Sequence, residues 1–192
     1  QQMVDADSPA LAVPLGEDIL RIAPDSAEAT IVRQTLQPLR DKADKDGEDK
    51  RFARLWTYQG GSESGGEQQT ASIYSKQAAS SKDKPLRLVL RRHSAWGMSV
   101  YLYDNDNQGF RCVTPCRISV QFDELPAQRY PANLPDTGEP AIFIENDKAF
   151  IKALEGARKL TLSVTMKDGA PRELVFEVAG FAADKWLPVA RQ

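Results

Sequence analysis

The chain is poor in the residues that usually announce an enzyme or a metal centre: 192 residues contain one histidine, two cysteines and three methionines. Structural zinc takes four ligands, and two thiols with a single distant imidazole, His93, do not supply them. Charge of one sign is also missing. Lys and Arg total 25 against 27 Asp and Glu, for a net charge of −2 and a pI near 5.6, so no global field recruits a phosphate polymer and nucleic acid drops out as a partner. No stretch of about 18 consecutive apolar residues occurs, which excludes a membrane-spanning helix within the chain. The chain opens on Gln1-Gln2-Met3 instead of an initiator methionine, so a leader or anchor is expected to precede Gln1. What is present suits a globular protein: 41% hydrophobic residues against 27% charged, enough to bury a core in about one domain plus an N-terminal extra.

Cys112 and Cys116 lie four apart in RCVTPCR, a spacing that suits a local disulfide in an oxidising compartment. A loop this small contributes only about 2 kcal/mol by chain entropy. A thioredoxin-like pair would be Cys-x-x-Cys opening a helix, whereas Pro115 and the strand-like residues after Cys116 predict a turn between strands.

Residues 1 to 50 read as an N-terminal arm and helix, a candidate linker, and residues 51 to 192 as a β-rich domain. Pro9, Pro14 and Pro24 predict an extended arm up to residue 24. A helix is expected from Asp25, with Ile31, Val32, Leu36 and Leu39 as its apolar stripe and a bend or stop at Pro38. The run DKADKDGEDK then reads as a solvated connection. Strands are expected at 51–59 and 70–76 around the polar connector GGSESGGEQQ, at 86–92, and at 96–104 with Trp96, Met98, Val100 and Leu102 inward. Further strands are expected at 117–123, 141–145, 160–166 and 173–181. Asn146 is placed to cap a short helix burying Phe150, Ile151 and Leu154, and Asp168-Gly169 to turn the last hairpin. With one helix between strands, parallel crossovers are too few. The expected fold is mainly β, an antiparallel β-sandwich or rolled sheet with one short helix inserted between C-terminal strands, plus an N-terminal extended or helical segment.

Candidate chemistry is sparse. His93 and Ser94 are adjacent, so on a strand they point to opposite faces, which does not suit a nucleophile and its base. Ser81 and Lys84 show a Ser-x-x-Lys spacing without the helix or the companion motifs it requires. The carboxylates Asp104, Asp106, Asp123, Glu124 and Glu145 could pair for glycoside hydrolysis, but nothing singles one out. No catalytic residue is therefore assigned. The segment 103–109, YDNDNQG, places oxygens on Asp104, Asp106 and Gln108 at alternate positions, as calcium loops do, although Pro115 replaces the bidentate glutamate of an EF-hand and a tight turn uses the same residue types. Tyr101 and Tyr103 share a strand face opposite Val100 and Leu102 and are candidate binding residues, with a second core layer as the competing reading.

The order LRLVLRR, a strand ending YLYD, GFRC, CRISVQFD, AIFIENDKAFIKALEGARKLTLSV and ELVFEVAGF, over residues 52 to 186, resembles a group of uncharacterised bacterial envelope proteins and lipoproteins. More distantly it is similar to type VI secretion accessory proteins of the TagO kind. The resemblance implies an exported, mostly β domain, often anchored upstream, with no catalytic residues to carry over. Asp123, its polar member, is expected to end its strand by binding backbone amides. The function expected from all of this is a non-enzymatic, extracytoplasmic binding or accessory module of the bacterial cell envelope. It is placed in the periplasm or envelope, needs no cofactor, and binds a protein or an envelope component. Two alternatives stay open: an inhibitor or immunity-type protein blocking a wall-degrading enzyme through the Asp104–Gly109 loop, and a calcium-dependent glycan-binding or hydrolytic domain using that loop.

Overall fold

The computed structural model describes residues 8–77 and 83–186 and divides the chain into two compact units, 1–51 and 52–192. Ser81 and the chain ends, 1–7 and 187–192, lie outside the described residues.

The first unit is helical: α1 spans Pro9–Ile22 and α2 spans Ala27–Ala53, its last two residues belonging to the second unit. This corrects the reading of an extended arm. Pro9 sits in the first turn of α1, where the missing N–H is not needed, while Pro14 and Pro38 lie inside their helices at a cost of about 3 kcal/mol each. Packing between the helices offsets that cost. Gly16 lets them approach so closely that an added Cβ would stand 3.1 Å from Leu36 Cδ1 and 3.2 Å from Val32 Cγ1, and Arg40 pairs with Glu17 at 2.6 Å. DKADKDGEDK, read as a connection, is the solvated C-terminal half of α2, where Gln37 donates to Asp41 and Lys45 pairs with Asp49 at i,i+4 spacing.

The second unit is one nine-stranded antiparallel sheet. In chain order the strands are β1 Thr57–Glu63, β2 Gly66–Tyr74, β3 Arg87–His93, β4 Gly97–Tyr103, β5 Arg117–Phe122, β6 Gln128–Asn133, β7 Ala141–Ile144, β8 Lys159–Thr165 and β9 Pro171–Glu177, with helix α3, Asp147–Leu154, between β7 and β8. Their order across the sheet is β1-β2-β3-β4-β7-β6-β5-β8-β9. The inward residues of both halves, among them Leu90, Val100, Leu102, Ile142, Val120, Leu160, Leu162 and Phe176, form one hydrophobic core. The sheet therefore rolls around its own inner face. β9 reaches back to the end of β2 through Lys76 N–H donating to Val175 O at 2.7 Å, without a paired ladder, so the roll is not closed. α3 lays Phe150, Ile151 and Leu154 on the core, with Phe150 edge-on to Phe122 at 5.2 Å and to Tyr130 at 6.0 Å.

Local details follow the residues closely, with five differences. β6, Gln128–Asn133, pairs with β5 and β7 in the stretch between 123 and 141, where no strand is expected from the residues. GGSESGGEQQ is no loose connector: most of it forms the β1–β2 hairpin, turned at Ser64-Gly65 with positive φ at both. Trp96 is not inward, because β4 begins at Gly97 and the alternation does not extend back into the turn that holds Trp96, 52% exposed. Residues 51–53 complete α2 instead of opening a strand. Asn146 precedes α3 in a left-handed conformation and its side chain makes no capping bond. By contrast, Gly169 takes φ 95° in the β8–β9 turn, where Asp168 accepts from Ala170 N–H at 2.9 Å. Asp123 ends β5 by accepting from the amides of Arg158 and Lys159 at 2.9 and 2.8 Å.

Candidate functional site

Register brings the site together. In antiparallel strands, directly paired residues share a face. Ser72 pairs with Val89, Val89 with Tyr101 and Tyr101 with Phe143, so these four form one rung on the face away from the core. The neighbouring rungs place Thr70, Arg91 and Ser99 on one side and Arg87, Tyr103 and Ala141 on the other. The result is a groove of about 330 Å³ on the outer face, with Glu63 and Glu139 at its margins.

Tyr101 and Tyr103 both line this groove, half-buried, opposite the buried Val100 and Leu102. The structure adds what the linear sequence did not single out: Arg87, Arg91, Trp96 and Phe143. Arg91 lies 5.1 Å from the Trp96 ring centre and 5.4 Å from that of Tyr101, and its Nε donates to Ser99 Oγ at 3.2 Å. Arg87 lies 5.6 Å from the Tyr103 ring centre, and its Nε is buried without a hydrogen-bond partner among the described residues. Tyr101 in turn tilts against Phe143 at 4.9 Å. Each guanidinium thus lies within cation–π reach of an aromatic ring, which restrains it at little entropic cost and leaves N–H groups for a ligand.

Burial pushes the Tyr101 phenol above its ordinary pKa near 10, against the opposing pull of Arg91 and Arg87. Burial raises Tyr58 in the same way, although Ala182 N–H donating to its oxygen at 2.7 Å works against the rise. The folded state therefore holds these two protons more tightly than the unfolded chain does. Their contribution to stability is full below pH 10 and is lost as pH rises from there through the folded-state values. An alkaline titration of tyrosinate absorbance is expected to show a late-ionising component that Tyr101→Phe reduces. An unchanged curve in that variant would contradict the burial argument.

His93 anchors the array from beneath. Its Nδ1 accepts from the amides of Ala95 and Trp96 at 3.1 and 3.2 Å, so the proton resides on Nε2, which donates to Glu63 O at 3.0 Å. The ring is buried and stacks on Trp96 at 3.8 Å. Both nitrogens serve the backbone, and Ser94 Oγ accepts from Glu67 N–H at 3.1 Å, so the two are not joined as base and nucleophile.

The acidic loop is organised around a buried carboxylate. Asp104 Oδ1 accepts from Asp106 N–H at 3.0 Å, and Oδ2 accepts from the amides of Gln108 and Gly109 at 2.9 and 3.0 Å. Asp106 instead pairs with Lys84 at 2.7 Å, a hydrogen bond that raises the lysine pKa. The side chain of Gln108 is exposed. Among the described residues, no three His, Cys, Asp or Glu side chains are grouped to hold a metal ion. The other carboxylates are dispersed: Asp123 is at its strand end, Glu124 pairs with Lys159 at 2.7 Å, and Glu145 is exposed after β7. Asp104→Ala is expected to cost about 2–3 kcal/mol by stranding three amides, while millimolar calcium leaves the wild-type melting temperature unchanged. A calcium-dependent rise would contradict the turn assignment.

The chain contains a Cys112–Cys116 disulfide, and none of its described helices is long and apolar enough to cross a membrane. No protein-family model and no curated protein matches the sequence. Among solved structures, the chain is similar to invasion associated protein B from Bartonella henselae at 18% identity and a TM-score of 0.46, covering 68% of this chain and 87% of that one.

Proposed function

We propose that the protein is a non-enzymatic, exported binding module of the bacterial cell envelope, and that the groove on the outer face of β1–β4 and β7 is its binding surface. The observation that carries this reading is the pair of ring-held arginines. Arg91 against Trp96 and Tyr101, and Arg87 against Tyr103, present oriented donors in a semi-enclosed groove. Aromatic and arginine side chains together, already fixed before a partner arrives, are what interface hot spots are made of. The disulfide supports an oxidising compartment, and the resemblance of residues 52 to 186 to bacterial envelope proteins supports the same placement. The partner is an envelope protein or another envelope component.

The test compares affinity capture from the native envelope, under non-reducing conditions, by the wild-type chain and by Arg87→Gln/Arg91→Gln. A stoichiometric partner retained by the wild type is expected to fall at least about tenfold in the variant, because charge-assisted contacts are lost. Equal recovery by both would remove the groove from the function.

A further inference from the structure

A second concavity, of about 520 Å³, lies on the other half of the sheet beside the disulfide loop, and it differs from the groove in charge. Arg111, Arg117 and Arg129 line it, and among the described residues no carboxylate does. The whole chain is slightly acidic, so this concentration of positive charge is local and not a consequence of composition. Gathering three like charges raises the energy of the free protein unless an anion is taken up.

The arginines are also positioned. Arg117 Nη1 donates to Arg129 O at 3.5 Å and Arg129 Nη2 donates to Arg117 O at 3.4 Å, reciprocal contacts across paired strands β5 and β6 that use one nitrogen of each guanidinium and leave the others available. Arg111 and Arg117 flank the cysteines, so the disulfide fixes the spacing of the segments that bear them, and Arg111 N–H donates to Thr165 O at 2.9 Å. Between them Val113 stands 72% exposed at the loop tip.

We infer that this concavity is an anion site for a phosphate group, separate from the groove and independent of its role. Three guanidiniums suit a tetrahedral group carrying up to two charges better than a single carboxylate, since each planar fork can donate to a different oxygen. The phosphate comes either from a soluble phosphorylated ligand or from a lipid headgroup with Val113 at the acyl boundary. The chemistry at the arginines is the same.

The test is calorimetric titration of the full chain with inorganic pyrophosphate, together with sedimentation with phosphatidylglycerol vesicles. The variants are Arg117→Gln/Arg129→Gln, Arg111→Gln, and Lys148→Gln as a control for net charge, with circular dichroism to confirm folding. Pyrophosphate is expected to bind the wild type and the control alike, and at least about tenfold more weakly to the double variant. Vesicle binding that pyrophosphate displaces assigns the site to lipid, and pyrophosphate binding without vesicle binding assigns it to a soluble ligand. No pyrophosphate binding by the wild type, or binding equal in the double variant, overturns the inference.

Discussion

Replacing His93 with alanine is expected to cost about 3 kcal/mol and to loosen the groove, although His93 lines no part of it. The buried imidazole holds three backbone groups: the amides of Ala95 and Trp96 on Nδ1, and Glu63 O on Nε2. Those groups belong to two adjacent turns, β3–β4 and β1–β2, so one side chain ties both hairpins together. Alanine strands all three, and it removes the surface on which Trp96 stacks, loosening the ring against which Arg91 is held. Gly66→Ala attacks the same joint from the other side, since an added Cβ would collide with the imidazole and stand 2.7 Å from Ser94 Oγ. Urea unfolding followed by tryptophan fluorescence measures both. A loss below about 1 kcal/mol for His93→Ala would show that solvent or a rearranged turn replaces these bonds.

The second large effect is expected at Gly180. It has φ +79°, and an added Cβ would lie 2.7 Å from the carbonyl carbon and 2.8 Å from the carbonyl oxygen of Phe52. Backbone cannot swing aside as a flexible side chain can. The Gly180→Ala protein must strain the left-handed residue and push apart two segments that enclose Trp56, whose Nε1 donates to Val178 O at 3.0 Å and whose ring lies 5.0 Å from Phe181. Strain and lost packing together are expected to cost about 3–4 kcal/mol. Gly156→Ala is the matched control, because nothing among the described residues lies within 4 Å of its added Cβ, and it is expected to change stability by less than about 0.5 kcal/mol. Equal effects at the two glycines would contradict the account.

How far the residues spoke for themselves depended on the range of the interaction. Ile118, Val120 and Phe122 alternate strictly, and β5 buries all three; Asp168-Gly169 carries its turn chemistry within the turn. The two tyrosines on alternate positions of β4 likewise disclosed a shared face. Arg87 and Arg91 did not stand out, because alternation along β3 separates them from Arg92, which faces the other way over Trp186 at 4.2 Å, but does not say what lies beside them. Only the register of β3 against β4, fixed by tertiary pairing, puts Arg91 beside Tyr101. Helix α1 was missed for a related reason: Pro14 argues locally against a helix, and the packing that overrides it depends on Gly16 meeting Leu36 of α2, twenty residues on. GGSESGGEQQ carries little strand propensity of its own and is held as a hairpin by β3 and by His93.

The most direct test of the central claim is site-specific photo-crosslinking in the native envelope under non-reducing conditions, with the reactive group at Thr70, inside the groove, or at Lys148, on the exposed face of α3. The account predicts one discrete adduct from Thr70, lost on Arg87→Gln/Arg91→Gln, and none from Lys148. Adducts from Lys148 alone, or a Thr70 adduct indifferent to both arginines, would contradict it.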